Sequence, residues 1–226
     1  MTGEDKQSTQ NTDRTPIEFV LVTLERYLEE VIKPAYNKKG GLQQHHLLLL
    51  TWDHLYKPVI FHQTQLAPVM ANAAMEELRL RCKMICAYIL FADGFEIDLK
   101  EGETFNPLGR IEACQDKRRV LKANVYFKEG ALSRTYQLRL KDETSKAFEV
   151  LQDSQKDYWF HPEDEMYGFP NPFYSTETIG KLDKQAVESV VVPIQKELEE
   201  LVKSKKPTGE NVANAKVEGS KKDDAE

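Results

Sequence analysis

The chain is poor in the residues that would make it a disulfide scaffold, a membrane protein or a collagen-like fibre. Three cysteines (Cys82, Cys86 and Cys114) among 226 residues are odd in number and include no Cys-x-x-Cys pair, so they fit a reducing compartment better than a secreted, cross-linked domain. No apolar run approaches the ~18 residues that a membrane-spanning helix needs; the longest, "LLLL" at Leu47–Leu50, is bounded by His46 and Thr51. The opening "MTGEDKQSTQNTDRTP" has no basic-then-apolar leader pattern. Together these absences predict a cytoplasmic protein with no membrane partner. No Gly-rich phosphate loop, nucleophile elbow or His-Glu-x-x-His motif is present. Without such a converging constellation the expectation is a protein that is not an enzyme and carries no cofactor.

What is present is a chain of ordinary globular composition, 40% hydrophobic and 30% charged, with a net charge of −6. The sign argues against non-specific coating of nucleic acid, but the charge is unevenly placed. Between Lys117 and Lys141 lie eight basic residues against one acid, Glu129, so a local +7 leaves −13 on the remainder.

Hydrophobic spacing divides the chain. Residues 1–14 and 203–226 are polar and unpatterned and read as disordered tails. Over 15–93, apolar residues recur at helical steps and predict a helical unit. Its first helix starts after Pro16 with Val20, Leu24, Leu28 and Ile32, its second spans about 42–56, and its third spans about 68–91. Over 94–202 the pattern changes. "VLKANVYF" and "LSRTYQLRL" alternate about the turn "KEGA" and predict a β-hairpin. Asp142 and Glu143 read as the start of a helix with Ala147, Phe148 and Leu151 on its buried stripe. A further helix is predicted from Ser175 or Thr176 to Val192, kinked or ended by Pro193. The expected fold class is therefore α+β and mainly helical.

The stretch "TYQLRLKDETSKAFEVL" resembles the ribbon-helix-helix family of DNA-binding proteins. Tyr136, Leu138 and Leu140 match that family's apolar strand positions, Thr135, Gln137 and Arg139 its polar ones, and "YSTETIGKL" the start of its second helix. The resemblance covers about residues 133–192 and implies a homodimer. Two copies of the strand would pair, and Thr135, Gln137 and Arg139 would project into the major groove of double-stranded DNA. Arg134, Lys141, Lys122 and Lys128 would add attraction to phosphates, and the capped helix start at Ser175 and Thr176 would sit over one. The function so implied is a transcriptional regulator of the kind found on mobile genetic elements. The helical N-terminal part would then serve oligomerisation or a protein partner.

Other groups are weighed against this. His45, His46, His54 and His62 lack the spacing of a metal site, and Cys82 and Cys86 sit four residues apart on an apolar stripe, so no metal is expected. The adjacent acids Glu163, Asp164 and Glu165 diverge rather than converge. The run "YWFHPEDEMYGFPNPFY" holds seven aromatics: Tyr158, Trp159, Phe160, Tyr167, Phe169, Phe173 and Tyr174. It reads as a packed loop or a partner-protein surface. That surface, with the helical unit, defines the alternative function of a non-enzymatic protein-interaction adaptor.

Overall fold

The computed structural model describes residues 14–39, 41–42, 44–62, 67–97, 117–142, 144, 147–166 and 169–205. Its framework is one antiparallel sheet of six strands in the order β2-β1-β3-β4-β5-β6. The strands are β1 (Gln44–Thr51), β2 (Tyr56–His62), β3 (Ile85–Ile97), β4 (Lys117–Phe127), β5 (Gly130–Asp142) and β6 (Ala147–Phe160). Helices α1 (Ile17–Tyr27) and α2 (Lys33–Lys39), joined by a π-helical turn at Leu28–Ile32, cover one face. Helices α3 (Ala67–Arg81) and α4 (Lys184–Lys205) cover part of the other.

Each face has its own core. Val20, Leu24, Tyr27, Leu28, Ile32 and Tyr36 recur at helical steps and pack on Leu48, Leu50, Ile89, Phe91, Leu121 and Ala123. Full burial of a Leu or Ile stabilises by about 1.5–3 kcal/mol, so this stripe holds the helix to the sheet. On the far side Ala71, Ala74, Met75 and Leu78 of α3 meet Val187, Val191, Ile194 and Leu198 of α4 over Leu47, Leu49, Tyr88 and Leu90.

A sheet covered on both faces explains where the predicted fold fails. The mainly helical expectation is overturned: the sheet is the framework, and the expected helix at 42–56 is strand β1 followed by a turn. In β1 Leu48 and Leu50 enter one core while Leu47 and Leu49 enter the other, so the centre of the strand, Leu47–Leu50, is apolar at every position and shows no alternation. The predicted helix at 68–91 ends at Arg81, and β3 begins at Ile85 for the same reason. The boundary at 93/94 falls inside β3, so residues 15–93 supply three strands of the shared sheet.

The hairpin β4–β5 forms as predicted, with Phe127 paired to Gly130 across Lys128 and Glu129. A Cβ at Gly130 would lie 2.6 Å from the Phe160 carbonyl oxygen, so only glycine lets β6 approach there. The helix expected from Asp142 is instead β6. Its Phe148 and Val150 alternate onto the α1–α2 side, a pattern too short to separate from a helical one. The last helix starts at Lys184, after a 3₁₀ turn at Ile179–Lys181, and runs through Pro193 to Lys205. The two expected tails, 1–14 and 203–226, lie outside the described residues apart from Arg14 and 203–205.

Candidate functional site

The residues that would read DNA lie on β5, whose neighbours are β4 on one edge and β6 on the other. Both edges are hydrogen-bonded within the chain, so β5 has no edge left for the strand of a second copy. No helix follows it. Alternation does place Thr135, Gln137 and Arg139 on one face, as the spacing requires. Thr135 is buried, however, Gln137 is half-buried and only Arg139 is exposed, where it pairs with Glu149.

Arg134 is buried on the opposite face. Its Nε and Nη2 donate to the two carboxylate oxygens of Asp157 at 2.8 Å each, and Nη1 donates to Glu25 of α1 at 2.6 Å. The paired Asp157 raises its pKa further above the ordinary guanidinium value, so it stays charged. Lys141 Nζ donates to Asn37 at 2.8 Å, and the stem of Lys122 lies over Gly94. Lys128 is exposed at the hairpin tip. Ser175 Oγ accepts from the Glu177 N–H at 3.0 Å, while Thr176 is exposed; neither begins a helix. The other arginines of the basic stretch are matched too, Arg118 with Glu96 at 3.3 Å and Arg119 with Asp93 at 2.6 Å. All four arginines between 117 and 141 therefore face a carboxylate, and the local +7 is largely answered within the fold.

The aromatic loop is built differently. Asn171, buried between two prolines, donates from Nδ2 to the carbonyls of Phe127 and Gly130 at 3.1 and 3.0 Å, and its Oδ1 accepts from the Phe173 N–H. The Tyr174 hydroxyl donates to the Lys128 carbonyl. The Phe173 ring packs on Tyr88 of the second core, with centroids 5.3 Å apart. Farther on, the Glu76 carboxyl of α3, wholly buried, accepts the N–H groups of Thr178 and Ile179 at 3.2 and 2.9 Å. These bonds fix the loop against the β4–β5 hairpin end. Two adjoining open hollows of about 710 and 360 Å³ lie along it and share Pro162, Glu163 and Tyr174; Ser175 and Thr176 line the smaller.

Large apolar surface is left exposed at this end. Trp159 is 62% exposed, touching Phe127 edge-on, and Tyr174 is 56% exposed. Both belong to the aromatic run of the sequence, where residue type alone does not separate them from Phe173, which turns inward. Spacing and residue type do not single out Asn171 or Glu76. The one available signal was the "PNP" setting of Asn171, where side-chain bonds must replace absent proline N–H groups.

Among the described residues no three His, Cys, Asp or Glu side chains are placed to hold a metal ion. His46 Nδ1 is instead bonded to the Tyr27 hydroxyl at 2.9 Å, and His54 packs on Phe19. Cys82 and Cys86 are buried free thiols. No helix among the described residues is long and apolar enough to cross a membrane. Neither family models, nor curated proteins, nor solved structures match the chain.

Proposed function

We propose that this chain is a non-enzymatic protein-interaction adaptor, with the aromatic end of the sheet as its working surface. The observation that carries the reading is the exposure of Trp159 at the end of β6 and of Tyr174 on a loop held by the buried hydrogen bonds of Asn171. Rigid, exposed aromatics lose little entropy on binding and are the side chains that most often dominate interface energies. Cation pairing favours this over DNA recognition. The arginines that would meet phosphates face carboxylates, and freeing them would sacrifice those ion pairs.

The test is site-specific photocross-linking in extract of the native cell, with the reactive group at position 174 and, as control, at exposed Val22 of α1. The adaptor reading expects a discrete protein adduct from 174, absent from Val22 and lost on Trp159→Ala. In parallel, random duplex DNA fragments are challenged in a gel shift across a salt series. Retention of fragments sharing a short element, steeply salt-sensitive and unaffected by Trp159→Ala, would return the function to a DNA-binding transcriptional regulator.

A further inference from the structure

We infer that the trough along the aromatic loop, between residues 161–164 and 170–177, takes up an extended, arginine-bearing segment of a partner protein. The inference rests on the adaptor reading and names its partner's chemistry.

The two adjoining hollows share Pro162, Glu163 and Tyr174, so they form one continuous trough. Its walls come from two stretches of chain that are bonded to each other. The Met166 N–H donates to the Phe169 carbonyl at 2.8 Å, and the Phe169 N–H returns a bond to the Met166 carbonyl at 3.2 Å. On one wall the His161 N–H donates to Asp164 Oδ2 at 2.8 Å and the Asp164 N–H to the His161 carbonyl at 3.0 Å, which closes a tight turn. On the other, the N–H groups of Tyr174 and Ser175 both donate to the carbonyl of buried Asn171. A trough bonded in this way is shaped before anything enters it, so a ligand does not have to order it on binding.

Charge chooses the occupant. Glu163 and Asp164 line the larger hollow, Glu163 and Glu177 the smaller, and no lysine or arginine among the described residues lines either. Along the sheet the acids are answered: Glu25, Asp93, Glu96, Glu149 and Asp157 each face an arginine. Glu163 and Glu177 are exposed, and among the described residues neither side chain makes a hydrogen bond or an ion pair. Carboxylates around a concavity reinforce one another's field, and a cation entering it meets them together. Among the described residues no three such groups converge closely enough to hold a bare metal ion, so an extended cation suits their spacing. The arginines of this chain's own basic stretch, 117–141, already face carboxylates, so the cation comes from another protein.

Tyr174 selects arginine. It lines both hollows, is 56% exposed and is steadied through its hydroxyl, which donates to the Lys128 carbonyl. A planar guanidinium can stack on such a ring and fork onto a carboxylate in one pose, which a compact ammonium cannot. Pro162 and Pro170 add apolar wall without a backbone N–H to offer, so an entering chain finds packing there rather than main-chain pairing. A segment of arginine and proline matches both features, because its backbone is already extended and needs no hydrogen-bond partners.

Fluorescence anisotropy of a fluorescein-labelled octapeptide of alternating arginine and proline, titrated with the full chain, tests this. Saturable binding is expected, about tenfold weaker for the double variant Glu163→Gln with Glu177→Gln. The control pair Glu18→Gln with Glu30→Gln removes the same charge from exposed positions at the α1 end of the chain and should leave binding unchanged. Tyr174→Leu should weaken it about three- to fivefold, whereas Tyr174→Phe keeps the ring and should not. Native near-ultraviolet dichroism confirms that each variant folds. Replacing every arginine of the peptide by citrulline, which keeps the shape and loses the charge, should abolish binding. Equal weakening by the two double variants would reduce the effect to net charge and overturn the inference. So would undiminished binding of the citrulline peptide. If cross-linking from position 174 finds its protein while the arginine peptide binds nowhere, the adaptor reading stands and this inference falls.

Discussion

Arg134 and Asp157 face each other across β5 and β6 as a bidentate pair, two N–H···O contacts of 2.8 Å, closed over by Glu25 from α1. Three elements meet at one buried guanidinium. Because Asp157 and Glu25 keep partial access to water, the pair is worth less than a fully buried one. Arg134→Ala leaves two carboxylates facing each other over a void and should cost about 2–4 kcal/mol in urea unfolding. Asp157→Asn should cost less, and the double variant less than the two losses added, because each removes the same contact. Strict additivity would show that the two side chains are not energetically coupled.

His45 and His46 predict a pH dependence. Burial holds both imidazoles below the ordinary 6.5, with the neighbouring imidazole adding to the effect at His46. The folded state therefore resists protonation more than the unfolded chain does. Stability from the neutral rings is whole above pH 6.5 and drains as pH falls through their lowered native values. The urea midpoint should fall between pH 7.5 and 5.5. His46→Gln, which can still meet the Tyr27 hydroxyl, should flatten part of that decline, and a parallel slope in both proteins would show that His46 is not responsible.

The two described thiols should be inert. Burial pushes Cys86 up to about 12 and raises Cys82 as well, with Glu199 adding to the latter. Since only the thiolate reacts, iodoacetamide at pH 8 should label both at least about a hundredfold more slowly in the native chain than in urea. Peptide mapping reads each site separately. Rapid native labelling of Cys86 would mean that β3 opens far more readily than its buried neighbours imply.

How much of this could be read in advance depended on whether polar residues break the apolar pattern of an element. Helix α1 keeps a wet side, and the β4–β5 hairpin sets buried polar residues such as Asn124, Ser133 and Arg134 among its apolar ones, so the spacing announced both. β1 and β3 have no wet side over most of their length. "LLLL" and "ICAYILF" are apolar at every position, so periodicity had nothing to measure and length misled. The site was legible in residue type alone. Seven aromatics in one stretch mark an unusual surface, but which of them point outward depends on Asn171 and Glu76 contacts made with residues 41 to 103 positions away. No local pattern carries that information. The basic stretch misled for the complementary reason: its acids, Glu25, Asp93, Glu96, Glu149 and Asp157, come from elsewhere in the chain.

Glu76 offers the sharpest test of how the working surface is held. Its carboxyl is fully buried and accepts two backbone N–H groups at the start of the 3₁₀ turn, donors that no helix bond could satisfy. Glu76→Ala strands both and opens a cavity beneath the turn, so the expected loss is about 3 kcal/mol. Glu76→Gln keeps an acceptor oxygen and should lose roughly half as much. Hydrogen exchange localises the effect: the amides of Thr178 and Ile179 should exchange faster in both variants at a denaturant-free pH where the sheet amides remain protected. If only global exchange quickens, Glu76 is a core residue and nothing more. If the local amides quicken and cross-linking from position 174 weakens with them, the buried carboxyl positions the exposed tyrosine some hundred residues away in the chain.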